Sequence, residues 1–362
     1  MKSILNLWAC ICIFEFNPFG SFAQGDSLSD HSYFKIKLEN DFFSLGNWTD
    51  RYFTNGIKLE YQTPQHWHGL DGMRKLYPVL PGKTHQKIKL NLSFNMSMYT
   101  PADLSKSEII QGDRPYAGLA YLGLSGISND FESGSRITTE YDLGMIGPIT
   151  QQGALQTAYH RFVINHGSRT AVLPKGWHHQ LANSLAINVK TEYEKILFSP
   201  VQNIEAIGGF EVNFGTITNS IGLNTNLRIG VFNDYFYNSS GLKMKEKSIR
   251  SERLPASRSF YPKNINRKFQ LYFYVKPSFR FALNNSLLEG SFIRFGQNPY
   301  VLKGDQINRF YMNADFGYGL VMNRIGLLFL QSFRSPEFVN AKPTTWGTLY
   351  LFFGLNSMNK KY

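Results

Sequence analysis

The sequence predicts an all-β protein, a transmembrane antiparallel β-barrel of about twelve strands. Apolar and polar residues alternate without a break from Ile88 to Met98, and successive side chains of a β-strand project to opposite faces. A strand with one apolar and one polar face suits a wall between lipid and a polar lumen. Aromatic residues make up 15% of the chain, which suits the girdles at the two membrane interfaces. A secreted antiparallel sandwich would explain the strands but not this aromatic excess.

The same alternation recurs along the whole chain. In the second window, for example, Ile57 and Leu59 alternate with Lys58 and Glu60. Single-chain bacterial barrels close with an even number of strands, so we expect twelve strands and at least one window that is not a strand. The thirteen windows are residues 32–43, 52–63, 87–99, 117–127, 136–146, 184–195, 203–214, 222–232, 268–283, 288–296, 307–320, 324–334 and 345–356.

Connections of two kinds separate the windows. Short polar pairs predict tight turns, and they are Asn129-Asp130, Asn219-Ser220, Asn284-Asn285 and Asn323-Arg324. Longer connections span residues 64–86, 100–116, 147–183 and 233–267. If the mature amino terminus lies in the periplasm, the connections after the first, third and fifth strands emerge together on the cell exterior. The side of the 233–267 connection depends on which window is not a strand.

The amino terminus predicts an exported protein. Lys2 precedes an apolar stretch from Ile4 to Phe14 and small residues before Gln24, which is the order of a cleaved signal peptide. We therefore assign residues 1–24 to the signal peptide and residues 25–362 to a barrel in the cell outer membrane. Both cysteines precede residue 24, so we expect no disulfide. No later segment has the roughly 20 uninterrupted apolar residues that a membrane helix requires.

The chain carries a formal net charge of +12. In an outer membrane the nearest anionic partners are lipid phosphates, which attract Lys and Arg through charge-assisted hydrogen bonds. The charge therefore favours contact with outer-membrane lipids or another polyanion, but only weakly. We expect no nucleic-acid partner for an exported chain, and we expect a monomer.

Two polar clusters fall beside the predicted exterior connections. The first is Glu39-Asn40-Asp41, whose carboxylate and amide oxygens are the hard ligands that calcium or magnesium takes. The alternative is that Asn40-Asp41 merely ends a strand and Asn55-Gly56 makes a turn. The second cluster is Asp113-Arg114-Pro115-Tyr116, in which an Asp-Arg pair predicts bracing of the loop by a bidentate bond, and Tyr116 suits an interface aromatic.

The third cluster lies in the 147–183 connection. Leu155, Tyr159 and Phe162 repeat at helical spacing, which predicts a short helix in an extracellular loop and places Gln156 and His160 on one face. A neutral imidazole there is able to act as a general base on water, although a histidine on such a helix is more often ordinary surface.

Other residues of this connection carry weaker signals. Trp177 suits an interface anchor or helix packing. His178 and His179 would point apart in an extended chain, which argues against a joint metal site. The sequence contains no G-x-S-x-G motif that would mark a serine nucleophile.

In order and spacing, these clusters resemble the outer-membrane lipid A 3′-O-deacylase (LpxR) family across roughly residues 32–195. The matching motifs are Asn40-Asp41, Asp50-Arg51-Tyr52-x-Thr54-Asn55-Gly56, Asp113-Arg114-Pro115-Tyr116-Ala117-Gly118, Gly144-x-x-Gly147-Pro148, Gln156-x-x-x-His160 and Gly176-Trp177-x-x-Gln180-Leu181. The resemblance implies a twelve-stranded barrel that hydrolyses the 3′-linked acyloxyacyl ester of lipid A with a calcium ion.

The resemblance also implies roles for single residues. His160 takes the position of the general base, and Asp41 that of a ligand to the divalent cation, which stabilises the oxyanion. Asn40 and Gln156 would orient the water or the imidazole. The cations proposed to meet lipid A phosphates are Arg51, Arg114 and Arg161.

Two alternatives to a lipid A deacylase stay open from the sequence. A non-enzymatic porin or structural barrel needs an open charged lumen and no convergence on His160. An outer-membrane phospholipase of the serine and histidine type needs a serine within hydrogen-bond reach of His160.

Overall fold

The structure, a computed structural model, describes residues 32–45, 51–63, 70–80, 88–130, 133–168, 171–233, 235 and 267–355. The predicted signal peptide and most of the 233–267 connection lie outside these residues. Within them, twelve antiparallel strands form a closed barrel in which each strand pairs with its neighbours in sequence and β1 pairs with β12. The strands are β1 (Tyr33–Asn40), β2 (Tyr52–Gln62), β3 (Lys89–Thr100), β4 (Ala117–Asp130), β5 (Ser135–Ile146), β6 (Ser184–Val201), β7 (Ile204–Gly215), β8 (Thr218–Val231), β9 (Phe269–Asn285), β10 (Phe310–Met322), β11 (Ile325–Arg334) and β12 (Thr344–Gly354).

The predicted alternation of faces is confirmed. On β3, Leu92 is 42% exposed on the outward face, whereas its neighbours Asn91 and Ser93 are buried towards the lumen. The outward face of the wall is therefore apolar and the inward face polar, as a strand between lipid and a polar interior requires.

One of the thirteen windows, residues 288–296, is not a strand. Asn285 caps a short helix there, because its side-chain oxygen accepts a hydrogen bond from the Leu287 backbone N–H at 3.1 Å. The chain then turns at Gly290, whose φ is +76°. Of the window, Arg294 alone makes a bridge, an isolated one to Ser184 at the start of β6. A local capping signal thus overrode the apolar pattern.

Two predicted turns were also wrong. Asn219-Ser220 lies inside β8, and the turn before it consists of residues 216–217. Asn284-Asn285 ends β9 and leads into a long connection, residues 286–309, that the sequence did not reveal. Asn129-Asp130 and Asn323-Arg324 do lie at hairpins, and Asn323 has the left-handed φ of +55° that such a tight turn favours.

Three α-helices interrupt the described connections: α1 (Asp71–Arg74), α2 (Gln152–Asn165) and α3 (Ser286–Glu289). The predicted loop helix is confirmed as α2. No helix in the described ranges has the length and apolarity that would let it cross a membrane. We call the end of the barrel that carries the connections after odd-numbered strands the upper rim. Strand β8, which precedes the 233–267 connection, ends at the opposite end of the barrel.

Charged side chains fill the lumen as ion pairs. Lys58 pairs with Glu140 at 2.8 Å, and Lys190 pairs with Glu211 at 2.7 Å. Arg280 also contacts Glu211. Opposite charges joined across strands in this way cross-brace the wall and occupy the space that a water-filled channel needs.

A buried apolar cluster blocks the lumen at the upper rim. Leu287 of α3 packs against inward-facing Leu119, Ile146 and Ala186 in one buried cluster. The cavity below Leu287 measures about 320 Å³ and is lined by the paired charges. The unpredicted 286–309 connection therefore plugs the barrel mouth.

Candidate active site

Helix α2 lies against the outward face of the barrel wall. Leu119 of β4 lines the lumen cavity and Leu122 is 64% exposed, so strand alternation places Gly118 on the outward face. A Cβ added to Gly118 would lie 2.7 Å from the Gln152 Cγ of α2, and Thr150 is also in the way. The start of α2 therefore packs directly on the wall, at a position that only glycine permits.

The polarity of α2 is inverted relative to a helix on a soluble protein. Its buried residues are the polar Gln152, Gln156 and His160, which are spaced four residues apart along one side of the helix, and Gln152 contacts the wall at Gly118. Its exposed residues include Tyr159 and Phe162, the latter 58% exposed. Such a helix suits an apolar surrounding, because its polar stripe is shielded against the protein and its apolar side chains meet the outside.

The main chain orients the His160 ring. His160 is 3% exposed, and its Nδ1 lies 2.7 Å from the carbonyl oxygen of Val172. A carbonyl only accepts hydrogen bonds, so Nδ1 carries the proton in this contact. In the neutral ring Nε2 is then the nitrogen with the lone pair, which is the state that a general base requires.

Trp177 orients Gln156, the other predicted catalytic residue of α2. The indole Nε1 donates a hydrogen bond of 2.7 Å to the Gln156 Oε1, and both side chains are buried. Because indole is a donor only, this bond fixes which end of the amide is oxygen. The Gln156 Nε2 has no hydrogen-bond partner among the described residues, so it remains a donor at the wall side of α2.

Tyr116, for which the sequence suggested an interface aromatic, and Trp177, for which it suggested an interface anchor or helix packing, are both buried and pack on each other. The Tyr116 ring lies 4.9 Å from the Trp177 ring, and both bury against Leu104. Burial raises the pKa of Tyr116 to about 12, so its hydroxyl stays neutral. Gly153 lets Trp177 approach α2, because a Cβ at Gly153 would lie 2.8 Å from the indole ring.

A row of paired residues on the outward face of the wall connects Gly118, which lies under α2, with Asn40. Gly118 pairs with Met98, Met98 with Asn55, and Asn55 with Asn40. Asn40 faces outward because its neighbour Glu39 lines the lumen cavity. Three strand spacings of about 4.8 Å separate the two ends of this row, about 14 Å in all. The first and third sequence clusters thus lie on the same face, at the same rim.

Asp41, the predicted metal ligand, begins a 3-10 turn after β1. The turn is capped by the Asn40 side chain, whose Oδ1 accepts a hydrogen bond of 2.8 Å from the Phe42 backbone N–H. Asp41 is buried. No group of three or more histidine, cysteine, aspartate or glutamate side chains converges anywhere in the described residues. A calcium ion at Asp41 would therefore rely mainly on amide, main-chain and water oxygens, which calcium accepts.

The three predicted phosphate ligands lie in different surroundings. Arg161 is exposed on α2, and Arg51 donates a hydrogen bond of 3.1 Å to the Pro343 carbonyl oxygen at the rim. Arg114 is only 2% exposed, lines the lumen cavity and pairs with Glu337 at 2.9 Å. The assignment of Arg114 to lipid phosphates is therefore replaced by a bracing role across the barrel mouth.

Asp113 braces its loop differently from the prediction. Its carboxylate accepts hydrogen bonds from the backbone N–H groups of Ala102, at 2.8 Å, and Arg114, at 2.7 Å. The Arg114 guanidinium pairs with Glu337 instead of forming the expected bidentate bond with Asp113, because Arg114 points into the lumen. Burial raises the pKa of Glu337, but the guanidinium groups of Arg334 and Arg114 outweigh burial and hold it at about 2.

The sequence analysis assigned no role to four residues that lie at or near the site, which are Gln152, Thr54, Thr100 and Val172. Gln152 is 1% exposed, and both of its amide atoms lack hydrogen-bond partners among the described residues. Its spacing of four residues before Gln156 was the available signal. Thr54 and Thr100 join their hydroxyls at 2.9 Å at the bulge of β2, beside the row that ends at Asn40. Val172 acts through its main chain, which no side-chain pattern reveals.

Comparisons with known proteins agree with the fold. A family profile described as "Outer membrane protein LpxR" matches residues 7–355. Among solved structures, the chain is similar to LpxR from Salmonella typhimurium, with a TM-score of 0.63 and 15% identity over 89% of this chain and 99% of that one. At this identity the likeness shows the fold alone.

Two other solved barrels resemble the chain more distantly. The β domain of the Bordetella autotransporter BrkA has a TM-score of 0.41 and 7% identity over 91% of this chain and 99% of that one. The translocator domain of the autotransporter NalP from Neisseria meningitidis has a TM-score of 0.36 and 8% identity over 91% and 90%. The search of curated proteins finds no match.

Proposed function

The chain belongs to the LpxR family of outer-membrane proteins, and from this membership and the geometry of α2 we propose that it is a lipid A deacylase, a carboxylic ester hydrolase. We further propose that it hydrolyses the 3′-linked acyloxyacyl ester. The observation that carries the proposal is the buried His160 of α2, a helix whose first turn packs on the outward face of the wall, with its ring held by Val172 in the tautomer of a base. A substrate with its acyl chains in the bilayer reaches an outward face, whereas it does not reach a lumen.

His160 supplies the proton transfers of this reaction. Nε2 takes a proton from water, and the hydroxide oxygen bonds to the ester carbonyl carbon. As the tetrahedral intermediate collapses, the bond from that carbon to the sugar oxygen breaks, and the imidazolium returns the proton to the sugar oxygen. The products are the free acyloxyacyl acid, which keeps its own secondary ester, and a sugar hydroxyl. The Val172 carbonyl holds the ring in place through both transfers.

Amide groups orient the reacting partners. The hydrogen bond from Trp177 to the Gln156 Oε1 fixes the orientation of this amide. The Gln156 Nε2 is therefore a hydrogen-bond donor on the same side of α2 as His160. Asn40 uses its Oδ1 to cap the turn after β1, and its Nδ2 group is the donor left for a substrate oxygen.

We propose that the protein depends on a calcium ion bound partly by Asp41. When bound, the ion supplies positive charge that polarises the ester carbonyl. The support is the chemistry of the donors, since the buried Asp41 carboxylate offers hard oxygen ligands directly after the end of β1. Arg51 and Arg161, which lie at the same rim, remain our proposed contacts for lipid A phosphates.

The filled lumen argues against the porin alternative. A pore needs a continuous water-filled path. In the described lumen, ion pairs join opposite strands and Leu287 blocks the upper rim. We therefore expect no steady open-channel conductance from the purified protein in a planar bilayer. A conductance as large as that of a known open barrel would favour the pore.

Mass spectrometry of lipid A from cells that produce the protein tests the proposal. Wild type should release the 3′-linked acyloxyacyl group, and His160→Ala should not. His166→Ala is a matched control, because His166 makes the same type of Nδ1 contact to a carbonyl, at 2.8 Å from Phe162, but lies exposed at the end of α2. Equal lipid A from all three strains would refute the proposal, and release of phospholipid acyl chains instead would favour the phospholipase. Calcium chelation should abolish the wild-type activity, and magnesium alone should not restore it.

A further inference from the structure

A groove at the upper rim is lined by one flank of α2 and by Trp177, His178 and Gln180 of the segment that packs beside it. Its volume is about 560 Å³, within the range of small-ligand sites. It lies on the flank of α2 next to the face that carries His160, since its lining residues Gly153, Thr157 and Arg161 each follow a residue of the buried stripe. A ligand in the groove would thus be one helix flank away from the proposed base.

The charge of the groove is entirely basic. Arg161 and His178 line it, and no aspartate or glutamate does. Other arginines of the upper rim pair with acids: Arg114 and Arg334 with Glu337, and Arg309 with Glu289. Across the described residues the structure gives Arg161 no such ion pair. An arginine that lines a cavity and has no carboxylate partner is able to donate hydrogen bonds from its guanidinium group to an external anion.

The residues that line the groove explain its volume and the kind of ligand that it suits. Ala154 and Ala158 present only small side chains on the helix side, and Trp177, which packs on Gly153, forms part of the wall. At its margin, the Gln180 Oε1 is buried without a hydrogen-bond partner among the described residues. Such an acceptor suits a hydroxyl donor, and the apolar walls suit the carbon skeleton that bears it.

We propose that this groove binds a phosphate group of an outer-leaflet lipid, with Arg161 and His178 as its ligands. The identification of that lipid with the substrate of His160 rests on the proposed function. The groove would then anchor the anionic head beside the reacting ester, which converts a freely diffusing lipid into a positioned one.

Binding without turnover tests this inference separately from catalysis. The experiment uses the full chain in detergent with His160→Ala, and measures calorimetric affinity for dihexanoyl phosphatidic acid, dihexanoyl phosphatidylcholine and inorganic phosphate. We expect phosphatidic acid to bind at least about tenfold more tightly than either other probe. Arg161→Gln and Ala158→Leu should each weaken that binding about tenfold or more, by removing a charge-assisted bond and by filling the groove. The control Lys342→Gln removes an exposed cation outside the groove and should change affinity by less than about twofold.

Each of the following results would overturn a different part of the proposal. Equal affinity for phosphatidylcholine would overturn the anionic site, and equal affinity for inorganic phosphate would overturn a lipid as its source. Unchanged binding by Arg161→Gln, in a protein that still shows the heat-dependent gel shift of a folded barrel, would overturn the role of the groove. Failure of lipid A hydrolysis by the wild type, with binding intact, would refute the proposed function and not this site.

Discussion

Substitution of Gly118 by alanine tests the placement of α2 most directly. The added Cβ would lie 2.7 Å from the Gln152 Cγ, whereas ordinary contacts begin near 3.4 Å. The start of α2 must therefore move outward by about 0.7 Å to restore an ordinary contact with Gln152. The Thr150 hydroxyl lies closer still to the added Cβ and must also shift. Because Gln156 and His160 lie on the same rigid helix, this shift carries the proposed base away from the wall.

The expected result is a loss of activity in a folded protein. A misplacement of about 1 Å in a catalytic group can cost about a hundredfold in rate, so we expect Gly118→Ala to lower the initial rate of lipid A deacylation about tenfold to a hundredfold. The assay is quantitative mass spectrometry of lipid A over time, at equal amounts of folded barrel as judged by heat-modified gel mobility.

A matched control separates this effect from a general cost of alanine for glycine. A Cβ at Gly72 meets no atom within 4 Å, so Gly72→Ala should retain wild-type activity. Wild-type rates from folded Gly118→Ala would refute the reasoning, since they would mean that the position of α2 against β4 does not set the geometry of His160.

Further predictions concern the supports of the site and the barrel mouth. Trp177→Phe keeps an aromatic ring but leaves the Gln156 Oε1 buried without its donor, at a cost of about 1–3 kcal/mol, and deacylation should fall about tenfold or more in a kinetic assay. Glu337→Gln leaves the buried Arg114 charge uncompensated and should destabilise the barrel by about 3 kcal/mol or more, measured as a lower temperature of the gel-mobility shift; an unchanged temperature would count against the brace. Because the pKa of Glu337 is about 2, below its ordinary 4.5, its contribution is complete above about pH 5 and disappears as the pH falls towards 2. Melting temperatures of wild type and Glu337→Gln should therefore converge at pH 2, and a constant difference would contradict the low pKa.

The fold was largely readable from the sequence because strand alternation is a local property. The polar and apolar faces of β3 follow directly from residues two apart, and the helical spacing of Leu155, Tyr159 and Phe162 correctly predicted α2. Window 288–296 failed because an Asn285 cap and Gly290 turn the chain before pairing can begin. Short apolar runs do not by themselves distinguish a strand from a helical turn.

The candidate site was less readable, since its parts meet through contacts that sequence spacing does not encode. The grouping of Gln156 with His160 on one face followed from the helical period. The partner of Arg114, in contrast, was misassigned, because Glu337 lies 223 residues away in the chain and meets Arg114 only across the barrel mouth.

By itself, the sequence determined an outer-membrane barrel with a helix in one rim connection, because alternation, turn residues and helical period act over a few neighbours. Tertiary structure alone decided that α2 buries its polar side chains, that Leu287 packs across the lumen at the upper rim, and that Val172 selects the tautomer of His160. Those outcomes depend on how closed strands and long connections pack together. Such packing joins groups far apart in the chain, and no local pattern specifies it.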